Sequence, residues 1–201
     1  MSVDARTSVA AVILAAGAST RFGANKLLLK IGGESLVRRA ARAALDAGLD
    51  PVVVVLGHDA GRVQGELGGL RVLPVLNPEF ARGMSSSLRA GIAALPSEVG
   101  AMVVQLADMP RVTAEMLARL VERFIETGAP IVASDYGGVH APPTLYARSL
   151  FGELRESEGD GVGKRVVGRH EAEVVRVPFP PGALADVDRA EDWERLCATS
   201  S

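Results

Sequence analysis

The chain predicts an α/β fold with a mostly parallel sheet, and three observations carry that expectation. Short apolar runs alternate with longer amphipathic segments, the pattern of strand–helix–strand units. The first run, Val9 to Leu14, has no polar residue, which suits a parallel strand covered on both faces. It breaks at once into small residues and glycine, which let the backbone approach a ligand at the carboxyl end of the first strand.

In chain order, Met1 to Ser8 is short and polar, and reads as a disordered tail ahead of a single domain over residues 9–198. Ser35 to Ala47 places Leu36, Val37, Ala40, Ala44 and Leu45 on one stripe and predicts a helix closed by Gly48. Pro51 to Leu56, nearly all valine, predicts a second buried strand. A weaker helix follows, then a third strand over Leu70 to Leu76. Asn77-Pro78 ends that strand, and a helix is expected from the serines 85–87 to about Leu95. Serines at a helix start are first of all capping residues, and they also offer hydroxyls to an anion. Ala101 to Leu106 predicts a fourth strand. Thr113 caps a helix running to Thr127 and stopped by Gly128. Pro130 to Ser134 reads as a strand, Asp135 to Pro143 as a loop, and Leu145 to Leu154 as a strand end followed by a helix. Glu158 to Gly163 reads as a mobile loop. Glu173 to Val177 alternates as an edge strand does, and the last helix starts at Ala190.

Composition excludes several classes. The 201 residues suit one domain with a sizeable core, and 48% hydrophobic with 23% charged residues is globular. A net charge of −2 gives no basic footprint for nucleic acid. No apolar run approaches the ~20 residues of a membrane span, and the N-terminus lacks a signal-peptide core. The single Cys197 has no partner for an internal disulfide, as expected in a reducing cytoplasm.

The chemistry is concentrated in Leu14-Ala15-Ala16-Gly17-Ala18-Ser19-Thr20-Arg21-Phe22-Gly23-Ala24-Asn25-Lys26. Gly17 and Gly23 free the backbone, while Arg21 and Lys26 supply two cations, so the stretch suits a phosphate cradle. It is not a P-loop, because Ala24-Asn25 stands between Gly23 and Lys26. It is not a dinucleotide fingerprint, because Ser19 occupies the second glycine position. Downstream, Asp108 follows a buried strand and is held by Pro110, which suits a carboxylate projecting into the same crevice. Magnesium favours one or two protein carboxylates plus substrate phosphates, although a capping aspartate would look the same. Near the end, Asp186 and Asp188 alternate along an extended segment and share one face.

The pattern Leu-Ala-Ala-Gly-x-Ser-x-Arg-x-Gly-x-x-Lys resembles the signature of the MocA/MobA-like nucleotidyltransferases, closest to the molybdenum-cofactor cytidylyltransferase group, and later motifs extend the likeness over nearly the whole chain. The resemblance implies a three-layer sandwich with a Rossmann-like sheet of the nucleotide-diphospho-sugar transferase type. It implies transfer of CMP from CTP to a phosphorylated acceptor of molybdopterin type, with release of pyrophosphate and Mg2+ as cofactor. A molybdenum hydroxylase would receive the product. The implied nucleotide contacts are Leu14, Ala15, Ala16, Gly17, Ser19, Arg21, Lys26, Asn77 and Ser85, with Arg21, Lys26 and Asp108 catalytic. The family's Gly-Asp-Met-Pro stands here as Ala107-Asp108-Met109-Pro110, and its aspartate binds the metal. Its Asp-Ile-Asp-Thr-Pro ending stands as Asp186-Val187-Asp188-Arg189-Ala190. Asp188 is therefore the expected second metal ligand and Asp186 the alternative, with helix capping by Asp188 open beside both.

His140 and Asp160 correspond to segments near the acceptor, but Ala141 separates His140 from the proline that follows the histidine in the family. A surface hydrogen-bonding role for His140 also stays open. Lys164, Arg165 and Arg169 follow Asp160 and face either the acceptor or solvent. Guanylyl-transferring relatives read Leu-Ala-Gly-Gly where this chain has Leu14-Ala15-Ala16-Gly17, so the Ala16 methyl is expected to favour cytosine over a purine. The alternatives are a GTP-using molybdenum-cofactor enzyme, a cytidylyltransferase for sugar or polyol phosphates, and a nucleotide-binding regulatory or chaperone module without turnover. The metal carboxylates that such a module would lack are present.

Overall fold

β1 (Val9–Ala15) is buried along its whole length, as an unbroken apolar run demands of a strand covered on both faces. It lies inside a seven-stranded sheet in the computed structural model, which describes residues 7–19, 22, 25–159, 161–185 and 191–193. After β1, a small antiparallel pair, β2 (Lys30–Ile31) and β3 (Glu34–Ser35), leads into α1 (Leu36–Asp46). Then come β4 (Val52–Leu56), α2 (Ala60–Glu66), β5 (Leu73–Leu76), α3 (Met84–Ala93) and β6 (Ala101–Leu106). The second half contains α4 (Ala114–Thr127), β7 (Ile131–Asp135), β8 (His140–Ala147), α5 (Phe151–Glu156), α6 (Val162–Arg169) and β9 (Val174–Pro178).

The strand order is β5-β4-β1-β6-β8-β7-β9, and of these only β8 runs antiparallel to its neighbours. Alternation along the strands splits the core into two layers of apolar side chains. On one face Ala11, Ile13, Val54 and Val103 meet Val37 and Ala44 of α1 and Leu117 and Leu120 of α4. On the other face Val12, Val55 and Met102 meet Leu88 and Ile92 of α3, Leu154 of α5 and Val166 of α6. This is the three-layer, mostly parallel sandwich that the sequence leads one to expect. Gly91 lets α3 press onto the sheet, because a Cβ there would lie 2.4 Å from Val12 Cγ1.

The topology fixes where a ligand belongs. From β1 the chain moves outward through β4 to β5, then returns to place β6 on the opposite side of β1. The carboxyl ends of β1 and β6 therefore flank a topological switch point, where open α/β sheets form their binding crevice.

Several boundaries differ from the sequence expectation, each for a local reason. Thr113 does cap α4, accepting from the Met116 amide at 3.3 Å, and Gly128 closes it in the left-handed region. The cap of α3, however, is Gly83 at φ +97°, and serines 85, 86 and 87 lie buried inside the first turns. The third strand starts at Leu73, after the turn through Gly69, and lies exposed at one sheet edge. The stretch 140–143, expected as loop, belongs to β8. Pro142 and Pro143 fit there because they lie beyond the part of β8 that pairs with β6 and beside an irregularity in its pairing with β7. Their carbonyls accept from Tyr136 Oη at 3.0 Å and Ser134 Oγ at 2.6 Å. β9 is an edge strand, as its alternation indicates, and pairs parallel with β7. Of the expected tail, Ser8 is placed: its carbonyl accepts from the Gly100 amide at 3.0 Å.

Candidate active site

A crevice of about 260 Å³ opens at the switch point. The chain leaving β1 forms one wall with Leu14, Ala15, Ala16, Gly17 and Ser19, and Lys26 and Leu27 close that side. The Ala16 carbonyl accepts from the His58 amide at 3.1 Å, so the strand end is held to the segment after β4. Ser19 turns the loop with φ +51°, and its hydroxyl accepts from the Lys26 amide at 3.3 Å. Asn25 then caps the short turn Lys26–Leu28 through Leu27 N at 3.1 Å. These bonds fix the place where the Lys26 side chain starts.

Lys26 reaches across the crevice to the end of β6. Its Nζ lies 2.6 Å from Asp108 Oδ2, with the two side chains only 13% and 19% exposed. Asp108 is carried on a loop whose Met109 and Val112 are buried in the core, and the Pro110 carbonyl accepts from Arg39 Nε of α1 at 3.0 Å. A cation from the first loop and a carboxylate from the fourth parallel strand are thus presented to one space, as the sequence leads one to expect.

Among the described residues nothing lies within 4 Å of the position a Cβ would take on Gly17, so these leave the floor of the crevice beside Lys26 open. Gly57 is the opposite case. A Cβ there would come within 2.6 Å of Phe80 Cβ, 2.7 Å of the Ala16 carbonyl and 2.8 Å of the Ala16 methyl. The glycine lets Ala16 and Phe80 close together as one wall.

The far wall comes from α3. Met84, Ser87 and, one turn in, Leu88 share a helix face, and Met84 and Ser87 border the crevice. Ser85, the serine expected at the nucleotide, is buried and is not part of this lining. Asn77 is also turned inward. Its Nδ2 donates to Ser86 Oγ at 2.9 Å and Ser87 Oγ at 3.0 Å, and its Oδ1 accepts from Glu79 N. Asn77 therefore holds Ser87, whose hydroxyl receives that bond and keeps its own proton to donate. Sequence reasoning names Ser87 only as one of three serines that could meet an anion and singles out Ser85, and it misses Phe80, Met84 and Arg39; the i, i+3 spacing of Met84 and Ser87 is the signal available for those two. Arg21, Asp160, Asp186 and Asp188 lie outside the described residues. His140 stands away from the crevice, exposed at the start of β8.

Among the described residues no group of three His, Cys, Asp or Glu side chains is gathered to hold a metal ion. Among the described residues Asp108 is the carboxylate that borders the crevice, a hard oxygen donor of the kind a divalent cation takes together with ligand phosphates.

The sequence profile of the MobA-like NTP transferase domain matches residues 11–174. The chain belongs to that family. This MobA-like transferase is 28% identical to the purine catabolism protein PucB of Bacillus subtilis over 197 residues, covering 92% of the chain and 94% of PucB. It is 34% identical over 130 residues to the bifunctional protein GlmU of Micrococcus luteus, covering 60% of the chain but only 26% of GlmU, so it spans about a quarter of that relative's length. Among solved structures, Rv0371c of Mycobacterium tuberculosis superposes with a TM-score of 0.85 at 26% identity, covering 96% and 98% of the two chains. A structure of Rv0371c in complex with manganese superposes with a TM-score of 0.78 at 27% identity, covering 96% and 98%. The MobA-like transferase is thus a nucleotidyltransferase on a Rossmann-like sheet, and no helix among its described residues is long and apolar enough to cross a membrane.

Proposed function

We propose that the protein transfers CMP from CTP to a phosphorylated acceptor of molybdopterin type, releasing pyrophosphate, with Mg2+ as its cofactor. The observation that carries the reading is the meeting of Lys26 and Asp108 across an open crevice at the switch point, beside a glycine with room for phosphate. The acceptor and the base come from the resemblance of the Leu14–Lys26 signature. The manganese complex of Rv0371c supports a divalent cation.

The triphosphate lies along the first loop, its base against the wall of Ala16 and Phe80 and its phosphates over Gly17. An oxygen of the acceptor phosphate attacks the α-phosphorus, a new P–O bond forms, the α–β bridge breaks, and the electron pair leaves on pyrophosphate. Lys26 neutralises the charge that builds on the leaving phosphates, and Ser87 donates from the facing wall. No general base is required, because a phosphate nucleophile is already ionised at neutral pH. Asp108 would hold the cation, with Asp188 or Asp186 as the second carboxylate, and the cation would supply Lewis-acid stabilisation of the α-phosphate. What the chain itself contributes is positioning and fixed charge, the main sources of rate in phosphoryl-type transfers.

The test is pyrophosphate release from each of the four ribonucleoside triphosphates with Mg2+ and a panel of phosphorylated acceptors including molybdopterin. Turnover confined to CTP with molybdopterin is expected. Turnover with GTP, or with a sugar or polyol phosphate alone, would replace this assignment by one of its alternatives.

A further inference from the structure

The crevice does not end at the nucleotide loop. Leu14, Met84 and Leu106 border both the crevice and a second cavity of about 250 Å³, between the start of α3, the first half of β8 and the start of α6. Through His140, Thr144, Tyr146 and Lys164 that cavity continues into a third, of about 260 Å³, which reaches Glu171. Together they make one trough leading away from Asp108.

The middle of the trough is apolar, formed by Leu88, Val104, Pro142 and Val162. Tyr146, buried, forms part of its lining, and α6 rests on that ring. A Cβ on Gly163 would lie 2.8 Å from Tyr146 Oη, so only glycine permits the contact. Burial holds the Tyr146 hydroxyl far above its ordinary value, so it stays uncharged.

Charge enters at one end. Of the three cations after the Glu158–Gly163 loop, Arg165 donates to the Glu158 carbonyl and Arg169 pairs with Glu153 at 2.9 Å. Lys164 borders both the second and the third cavity and has no hydrogen bond or ion pair among the described residues. In the same cavities His140 Nε2 accepts from Arg176 Nε at 3.0 Å, and Arg176 is itself bound to Glu171. A ring nitrogen that accepts from a guanidinium carries no proton, so the imidazole proton sits on Nδ1 and is available to donate.

We propose that the far end of the trough binds a second anionic group of the acceptor, separated by an apolar body from the phosphate that reacts beside Asp108. Lys164 is its counter-charge and the Nδ1–H of His140 its donor. The inference rests on the nucleotide reading of the crevice, which places the reacting end. A polyhydroxylated acceptor fits poorly, since hydroxyls laid against Leu88, Val104 and Pro142 lose water and gain no partner. An uncharged ester fills the walls but leaves Lys164 without its anion.

The probes are benzyl phosphate, 4-carboxybenzyl phosphate and its longer 4-(2-carboxyethyl) homologue, titrated calorimetrically into protein holding the α,β-methylene analogue of CTP. At least one carboxylated ester is expected to bind about 10-fold tighter than benzyl phosphate, the scale of one charge-assisted hydrogen bond. Lys164→Ala should remove that preference and Lys164→Arg should keep most of it. Binding of the CTP analogue, measured in the same samples, reports the first loop separately. If wild-type protein fails to bind the analogue, the nucleotide reading falls and this inference with it. If the analogue binds but no carboxylated ester is preferred, or the preference survives Lys164→Ala, the second-anion site alone is overturned.

Discussion

Replacing Asp108 by asparagine separates two roles that the free protein combines. Lys26 lies 2.6 Å from the carboxylate, and both side chains are less than one-fifth exposed (13% and 19%). Exposed pairs contribute at most ~1 kcal/mol, and breaking fully buried ones costs ~3–5 kcal/mol, so this pair falls between, at about 1–2 kcal/mol. To meet a triphosphate without metal, Lys26 must give up that partner, and Asp108 also repels the incoming charge. Asp108→Asn removes both penalties. Metal-free CTP should then bind roughly 5- to 30-fold tighter than to wild type, the factor that corresponds to 1–2 kcal/mol. Adding Mg2+ should strengthen CTP binding to wild type and leave the variant nearly unchanged, while turnover in the variant collapses. The same loss of a counter-charge should lower the melting temperature by roughly 2–8 °C. Isothermal titration with and without Mg2+, beside a melting curve, measures all three. Metal-free affinity in Asp108→Asn equal to or below wild type would refute the idea that the carboxylate holds Lys26 away from phosphate.

Three other outcomes follow from the same geometry. Ala16→Gly removes a methyl from the base wall, so a CTP-over-GTP preference in kcat/KM of roughly 10- to 200-fold, the range for ~1–3 kcal/mol, should shrink in the variant; an unchanged ratio places base choice elsewhere. Gly57→Ala drives a Cβ to 2.6 Å from Phe80 Cβ and 2.7 Å from the Ala16 carbonyl. Overpacking there should cost about 1–3 kcal/mol in denaturant unfolding and weaken CTP binding as the wall parts. His170 is raised from its ordinary value by hydrogen bonds to Glu173 and Glu153. Its stabilising effect is therefore complete below the unfolded value and fades as pH rises through the folded one. His170→Gln should melt below wild type at about pH 5.5 and match it at about pH 9, and a gap that grows with pH would contradict the assignment.

How much of this is legible in the sequence varies with the range of the forces involved. β1, β4 and β6 are apolar runs whose burial follows from composition, and α4 carries its own cap and stop in Thr113 and Gly128. The loop ending in Lys26 and the aspartate after β6 are also readable, because each is a local break in a strand. What brings them within 2.6 Å is the strand order, which no local pattern encodes. β8 reads as loop over its prolines, since the hydroxyls that satisfy them, on Ser134 and Tyr136, belong to other segments. Sequence favours Ser85 over Ser87 because the helix start depends on the φ of Gly83, which sets the face each serine occupies. Lys164 stands out from Arg165 and Arg169 only once the partners of those two are seen.

The central claim is that the Lys26 crevice holds the phosphates beyond the first. Calorimetric titration of wild type and Lys26→Ala with CTP and with CMP, in Mg2+, tests it most directly. Loss of a charge-assisted contact worth ~1.5–3 kcal/mol should weaken CTP by roughly 10- to 150-fold and change CMP by less than about 3-fold. Equal weakening of both nucleotides, or no weakening of either, would contradict the account.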